Sequence, residues 1–330
     1  MDSYIIDKRI GQSQFEVYQI TEKATKKTLA VKIIEIPEQD LEKENEILNE
    51  CSLLSFFVDH ESFVSFKGVT RDIVQIQNSN IKKVRYGIVM DLMKGSLEDE
   101  IKVRVVTKHY YDIAEISKFV DQTYDGFVLL ESKKIAHRDI KPGNILLDKL
   151  GNYKIADLGV SKFVKGGIGT TGTWVGTLTY ISSELMEEYL MHAEQTHCNP
   201  LISDVFSYGL TLLRMVTLEN VAGINLQDGD NKKKILFDKI RDVYQESAPY
   251  LIQFLDKLLE RDQNKRKNFR ENQMLASILT ENVINKRVKE LFDVVDEGMT
   301  GLLDTNGILN LCFLLDNSIP KEEIKKVNMF

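Results

Sequence analysis

The chain has 330 residues, enough for one large domain or one domain with a short appendage. Its apolar and charged fractions, 43% and 28%, are ordinary for a globular protein with a full hydrophobic core. A formal net charge of −7 argues against a nucleic-acid-binding surface over much of the protein. Tyr4 to Ile10, Phe15 to Thr21 and Thr28 to Ile36 are rich in β-branched and aromatic residues with turn-type residues between them, which predicts three strands. Leu41 to Phe57 predicts a helix, with Glu and Lys on one face and Leu48, Cys51 and Leu54 on the other. Phe63 to Thr70 and Tyr86 to Met90 predict two more strands. From Ser96 the pattern turns mainly helical, with apolar-periodic stretches at Ile113 to Ser132, Asp204 to Thr217 and Tyr250 to Leu259. A sheet-rich part followed by a larger helical part implies two lobes joined near residues 91 to 95. There is no internal repeat, low-complexity tract or Pro-rich linker.

Cys51, Cys198 and Cys312 are scattered and odd in number, which is no disulfide framework and points to a reducing compartment. His192, His197 and Cys198 lie close together, but without a paired Cys-x-x-Cys or a second His pair they read as ordinary surface residues. No apolar run approaches the ~20 residues that cross a bilayer. Met1-Asp2-Ser3-Tyr4 has no basic, then apolar, leader pattern, so an intracellular, cytoplasmic protein is expected.

The most informative stretch is His137-Arg138-Asp139-Ile140-Lys141-Pro142-Gly143-Asn144, followed thirteen residues after Asn144 by Asp157-Leu158-Gly159. The first resembles the catalytic loop of the eukaryotic protein kinase superfamily, serine/threonine type, and the second resembles its metal-binding triplet. Ala30-Val31-Lys32 ends the third strand, where that family has its phosphate-binding lysine. The resemblance runs from about Ile5 to about Arg266. It implies an α+β, bilobal protein kinase fold over residues 1–275, with a small β-rich N-lobe to about 92 and a mainly α-helical C-lobe from about 93.

Phosphoryl transfer passes through a loose transition state, so a protein contributes mainly positioning and charge neutralisation. By the resemblance, Lys32 holds the α- and β-phosphates of ATP and needs a carboxylate partner. Among Glu44, Glu46 and Glu50, the stretch Glu50-Cys51-Ser52-Leu53-Leu54 fits the family's Glu-x-x-x-Leu, which leaves the other two acids on a solvated face. Asp139 is the implied base and Lys141 neighbours the γ-phosphate; Asn144 and Asp157 supply hard oxygens for Mg²⁺. Ile10, Gly11, Ser13, Val17, Ala30, Met90, Asp91, Met93, Ser96 and Leu146 are the implied nucleotide-binding residues, with Met90 as gatekeeper. Lys141 and Thr177 point to serine or threonine acceptors in protein substrates. His137 is expected to be structural and Asp204 to anchor the catalytic loop; Glu184 and Arg266 are expected to form a buried ion pair.

The chain departs from the family in its nucleotide-covering loop. Gly11-Gln12-Ser13-Gln14-Phe15-Glu16-Val17 keeps one of three glycines, which should weaken ATP binding or alter loop closure. The alternative function is therefore a pseudokinase or scaffold that binds nucleotide weakly. Glycines and threonines between Asp157 and Glu184 suit control by an upstream kinase acting on Thr171 or Thr173, whose phosphate would pair with Arg138. Residues 284–330 resemble a degenerate helical EF-hand pair. Positions 3, 5 and 12 of its loop are Gly298, Thr300 and Gly307, so Ca²⁺ binding is not expected.

Overall fold

A computed structural model describes residues 3–12, 15–75, 82–164, 176–193 and 196–280. The chain divides into two units, Met1–Ala276 and Ser277–Phe330. Ser13, Thr171, Thr173 and the EF-hand-like stretch lie outside the described residues.

The first lobe opens with β1 (Tyr4–Gln12), β2 (Glu16–Glu22) and β3 (Thr28–Pro37). Helix α1 (Leu41–Phe56) follows, then β4 (Phe66–Gln75) and β5 (Lys82–Asp91). The strands form one antiparallel sheet in the order β1-β2-β3-β5-β4. Ile20, Leu29, Val31 and Val89 are buried together on it, with Tyr4, Tyr18 and Ile33 packed against them. β4 begins at Phe66 because Phe63 makes an isolated bridge to Ile155 of the second lobe.

Helix α1 starts where Asp40 accepts a hydrogen bond from the Lys43 amide, and Glu42 and Glu44 in its first turn suit the helix dipole. Its buried residues are Ile47, Glu50, Cys51, Leu53 and Leu54. The expected inward face is thus corrected: Leu48 is 44% exposed. One residue is about 100° of helix rotation, so the stripe through Ile47, Cys51 and Leu54 turns Leu48 outward.

The second lobe holds β6 (Gly95–Ser96), α2 (Leu97–Thr107), α3 (Ile113–Ser132) and β7 (Ile135–Ala136). After these come β8 (Ile145–Leu147), β9 (Tyr153–Ile155), β10 (Lys162–Phe163) and α4 (Ser183–Leu190). Then follow α5 (Pro200–Thr217), α6 (Gly229–Tyr244), α7 (Ala248–Leu258) and a helical stretch beginning at Phe269. Capping boxes at Ser96/Asp99 and Asp112/Glu115 start α2 and α3. The core is aromatic: Tyr208 of α5 lies 5.5 Å from Tyr124 and 5.3 Å from Phe127 of α3, ring centre to ring centre. Phe127 in turn stacks on Phe269 at 5.3 Å. Helix α5 carries Asp204, which accepts amides of the loop after β7, and α3 carries Gln122, which accepts the Tyr153 amide of β9. Among the described residues no helix is long and apolar enough to cross a membrane.

One surface assignment is corrected as well. His192 and His197 are exposed, but Cys198 is 1% exposed, because it sits just before α5 with Ser203 bonded to its sulfur.

Candidate active site

Strand β3 carries Lys32 between the lobes, opposite Val17 of β2 and Ile88 of β5. Its ammonium donates to Glu50 Oε1 at 2.8 Å, Glu50 Oε2 at 3.2 Å and Asp157 Oδ1 at 2.9 Å. Burial alone would pull the Lys32 pKa down, but the two carboxylates outweigh it and leave it above the ordinary lysine value. Burial pushes Glu50 up against the pull of Lys32, and the Asp157 charge adds to the rise. Asp157 is driven the other way: burial would raise it, yet Lys32 holds it below the usual carboxylate range. Its backbone takes the left-handed conformation, φ +62°, and its side chain is 44% exposed, so a cation can reach it. Gly159 completes this corner, since a Cβ there would lie 3.0 Å from Glu50 Oε2. The Phe15 ring stands 4.9 Å from the Lys32 ammonium, a contact that the sequence reasoning missed.

The loop after β7 is hung from α5. Asp204 accepts the His137 amide at 2.6 Å and the Arg138 amide at 2.9 Å. Burial pushes the Asp204 carboxyl up to about 7 although both amides pull it down. Arg138 is left-handed at φ +68°, a turn these two bonds stabilise. His137 is buried and its pKa falls below the ordinary histidine value for that reason. The neutral ring donates from Nε2 to the Ala156 carbonyl at 3.1 Å and accepts the Asp139 amide at Nδ1, 3.3 Å away.

Three side chains converge on the Asp139 carboxylate. Lys141 Nζ donates to Oδ2 at 2.6 Å, and Asn144 Nδ2 donates to the same oxygen at 2.9 Å. Asn144 Nδ2 also donates to the Asp139 carbonyl at 2.8 Å. Thr177 Oγ1 donates to Asp139 Oδ1 at 3.0 Å and accepts from Lys141 Nζ at 2.8 Å. Thr177 thus joins the site, and the signal for it was its place in Gly176-Thr177-Leu178-Thr179-Tyr180. Because Asn144 Nδ2 is held by Asp139, its amide oxygen is left for another partner. That oxygen and the exposed Asp157 carboxylate are the hard donors that Mg²⁺ takes, so these residues fit the ion.

The remaining expected nucleotide contacts lie on neighbouring elements. Ala30 of β3 is opposite Met90 of β5, and Ser96 of β6 is opposite Leu146 of β8. Ile10 and Gly11 lie in the last residues of β1, and Met93 follows β5. The Asp91 carboxylate is engaged by Lys27 at 2.9 Å and Lys67 at 3.1 Å, and its amide by the Ser65 carbonyl at 3.0 Å. Below the loop, the Arg266 guanidinium meets Glu184 through two parallel bonds of 2.8 and 2.9 Å.

A family model described as protein kinase domain matches residues 4–277. The serine/threonine-protein kinase pakH of Dictyostelium discoideum is 29% identical over 282 residues, which are 80% of this chain and 47% of pakH. The serine/threonine-protein kinase dst1 of the same organism is 30% identical over 217 residues, 64% of this chain and 26% of dst1. Mitogen-activated protein kinase kinase 8 of Arabidopsis thaliana is 38% identical over 131 residues, 39% of this chain and 40% of that protein. The chain spans less than half the length of each of these relatives.

Proposed function

We propose that this chain, which belongs to the protein kinase family, transfers the γ-phosphoryl group of ATP to serine or threonine hydroxyls of proteins. The observation that carries the reading is the convergence of Lys141, Asn144 and Thr177 on the Asp139 carboxylate, beside a Lys32 held by Glu50 and Asp157. Lys32 holds the α- and β-phosphates, and Glu50 keeps its ammonium in place. Asp139 accepts the proton of the attacking hydroxyl. Lys141 neutralises charge growing on the transferred group, and Thr177 fixes its ammonium relative to Asp139. Asn144 and Asp157 would hold Mg²⁺, which would supply charge neutralisation at the phosphate oxygens. Ile10, Gly11, Ser13, Val17, Ala30, Met90, Asp91, Met93, Ser96 and Leu146 frame the nucleotide.

Serine or threonine specificity is supported by Lys141 and by the similarity to the serine/threonine-protein kinases pakH and dst1. Control by an upstream kinase at Thr171 or Thr173 is supported by Arg138. Its Nε is buried without a hydrogen-bond partner among the described residues, ready for a phosphate. Purified protein incubated with Mg-ATP and peptides differing only in Ser, Thr or Tyr tests the acceptor class. Phosphate on Ser and Thr peptides is expected; phosphate on the Tyr peptide alone would overturn it. The eroded glycine loop favours a second reading, a scaffold that binds Mg-ATP without transferring phosphate, and that outcome in the same assay would select it.

A further inference from the structure

Glu44 is only partly solvated, its side chain 21% exposed. It accepts a hydrogen bond from the Tyr86 hydroxyl and another, at 3.4 Å, from Arg71 Nε. Arg71 Nε also donates to the Tyr86 oxygen at 2.9 Å, and its guanidinium lies 5.9 Å from the Tyr86 ring centre. Tyr86 is 1% exposed on β5, opposite Ile34 of β3 and Arg71 of β4. Three elements therefore meet at one carboxylate: α1 through Glu44, β5 through Tyr86 and β4 through Arg71. The Tyr86 bond holds Glu44 below the usual carboxylate range, so it is an anion throughout the neutral range.

Glu44 lies six residues before Glu50, about 9 Å along the helix axis at the usual rise. The C-terminal half of α1 is packed by Leu53, Leu54 and the Phe57 ring, which stacks on Phe63 at 4.6 Å. With α1 fixed about Leu53 and Leu54, the freedom left to it is a rigid swing about that last turn, and Glu50, one turn ahead of the pivot, moves with the rest of the helix. Such a swing moves Glu50 off Lys32. We propose that Glu44, Tyr86 and Arg71 form a latch that fixes α1 against the sheet and so positions Glu50 on Lys32. The role of the Lys32–Glu50 pair in transfer rests on the kinase reading; the latch itself does not. Glu44, Tyr86 and Arg71 are positioning residues, since they act on the nucleotide site only through α1.

Cys51 reports the position of α1 without any assay of activity. It is 7% exposed on the buried face of α1, directly after Glu50, and Cys198, 1% exposed, is a second buried thiol on the second lobe. Tyr86→Phe keeps the buried ring and removes only the hydroxyl. In the full chain we expect Cys51 alkylation by iodoacetamide, followed by mass spectrometry, to quicken about tenfold in Tyr86→Phe and in Glu44→Ala, with Cys198 unchanged. Glu44→Gln, whose amide oxygen can still accept the Tyr86 hydroxyl, should fall between these variants and wild type. Transfer measured alongside should show kcat/KM for ATP down about tenfold, the peptide KM unaltered, and no further loss when Tyr86→Phe is placed in Glu50→Gln. Unchanged Cys51 protection, or equal quickening at Cys51 and Cys198, overturns the latch. If wild type transfers no phosphate while Cys51 responds as expected, the kinase reading fails and the latch stands.

Discussion

Removing one partner of the Glu184–Arg266 pair should unfold the second lobe more readily than any single contact in the active site would. Arg266 is fully buried at its side chain and Glu184 is 11% exposed. Besides the two bonds to Glu184, Arg266 donates to the carbonyls of Glu260 at 2.6 Å, Ile202 at 3.2 Å and Arg261 at 3.1 Å, so all its donors are directed. Burial would raise the Glu184 carboxyl, but its bond to Arg266 holds it below the usual range. Glu184→Gln leaves the guanidinium buried without its counter-charge, a change that costs about 3–5 kcal/mol. For a domain of this size that lowers the melting temperature by about 10 °C, read by calorimetry. Replacing both residues, Glu184→Leu with Arg266→Met, removes both charges and leaves only neutral groups short of a partner, three carbonyls and the Ser203 hydroxyl that donated to Glu184. The double variant should therefore be no less stable than Glu184→Leu alone, with a coupling of about 2 kcal/mol or more in the cycle that Glu184→Leu and Arg266→Met close. Single-variant losses below about 1 kcal/mol, or strictly additive losses, would refute the reasoning.

Other consequences follow from the same geometry. Lys32→Met should lower kcat/KM for ATP roughly 100- to 1,000-fold with the fold retained, as seen by steady-state kinetics and circular dichroism. Thr177→Val removes the hydroxyl between Asp139 and Lys141 and should lower kcat about tenfold while leaving nucleotide affinity near wild type, measured by titration calorimetry. Gly176 has φ +108° and a Cβ there would lie 2.8 Å from the Arg138 carbonyl, so Gly176→Ala should lower the melting temperature and activity together. The buried acid and imidazole titrate in opposite senses. The fold depresses the His137 pKa, so the unfolded chain takes the extra proton and stability is lost as pH falls below about 6.5. The fold raises Asp204 to about 7, so there the folded state takes the proton and stability is gained as pH falls below that value. In Asp204→Asn the His137 loss stands alone, and the urea midpoint should drop more steeply between about pH 7 and about pH 5 than in wild type. A variant whose midpoint is flat across that range contradicts this assignment.

The parts of the fold most legible in the chain were those whose pattern is local. Helix α3 spans the expected Ile113–Ser132, because its apolar period and its Asp112 cap sit in one stretch of sequence. Helix α6 was not among the stretches singled out, since GDNKKKILFDKIRDVY is dense in charge and buries only Leu236, Phe237 and Ile240 beyond its first residue. Helix α5 begins at Pro200, ahead of the expected Asp204, because Asn199 caps it and proline suits the first turn. The candidate site was legible as a set of motifs, each a short run with its own chemistry. Its supports were not. The Phe15 contact with Lys32 and the bonds joining Glu44 to Tyr86 and Arg71 span 17, 42 and 27 residues. Strand pairing and helix packing create them, and no short-range spacing announces them.

The most direct test of the central claim is Mg²⁺-dependent transfer of the γ-phosphate from labelled ATP to a generic basic protein, with Asp139→Asn beside wild type. The account predicts transfer by wild type that is lost in Asp139→Asn while Mg-ATP binding persists. Equal transfer by both proteins, or none by folded wild type even after co-expression with an activating kinase, would contradict it.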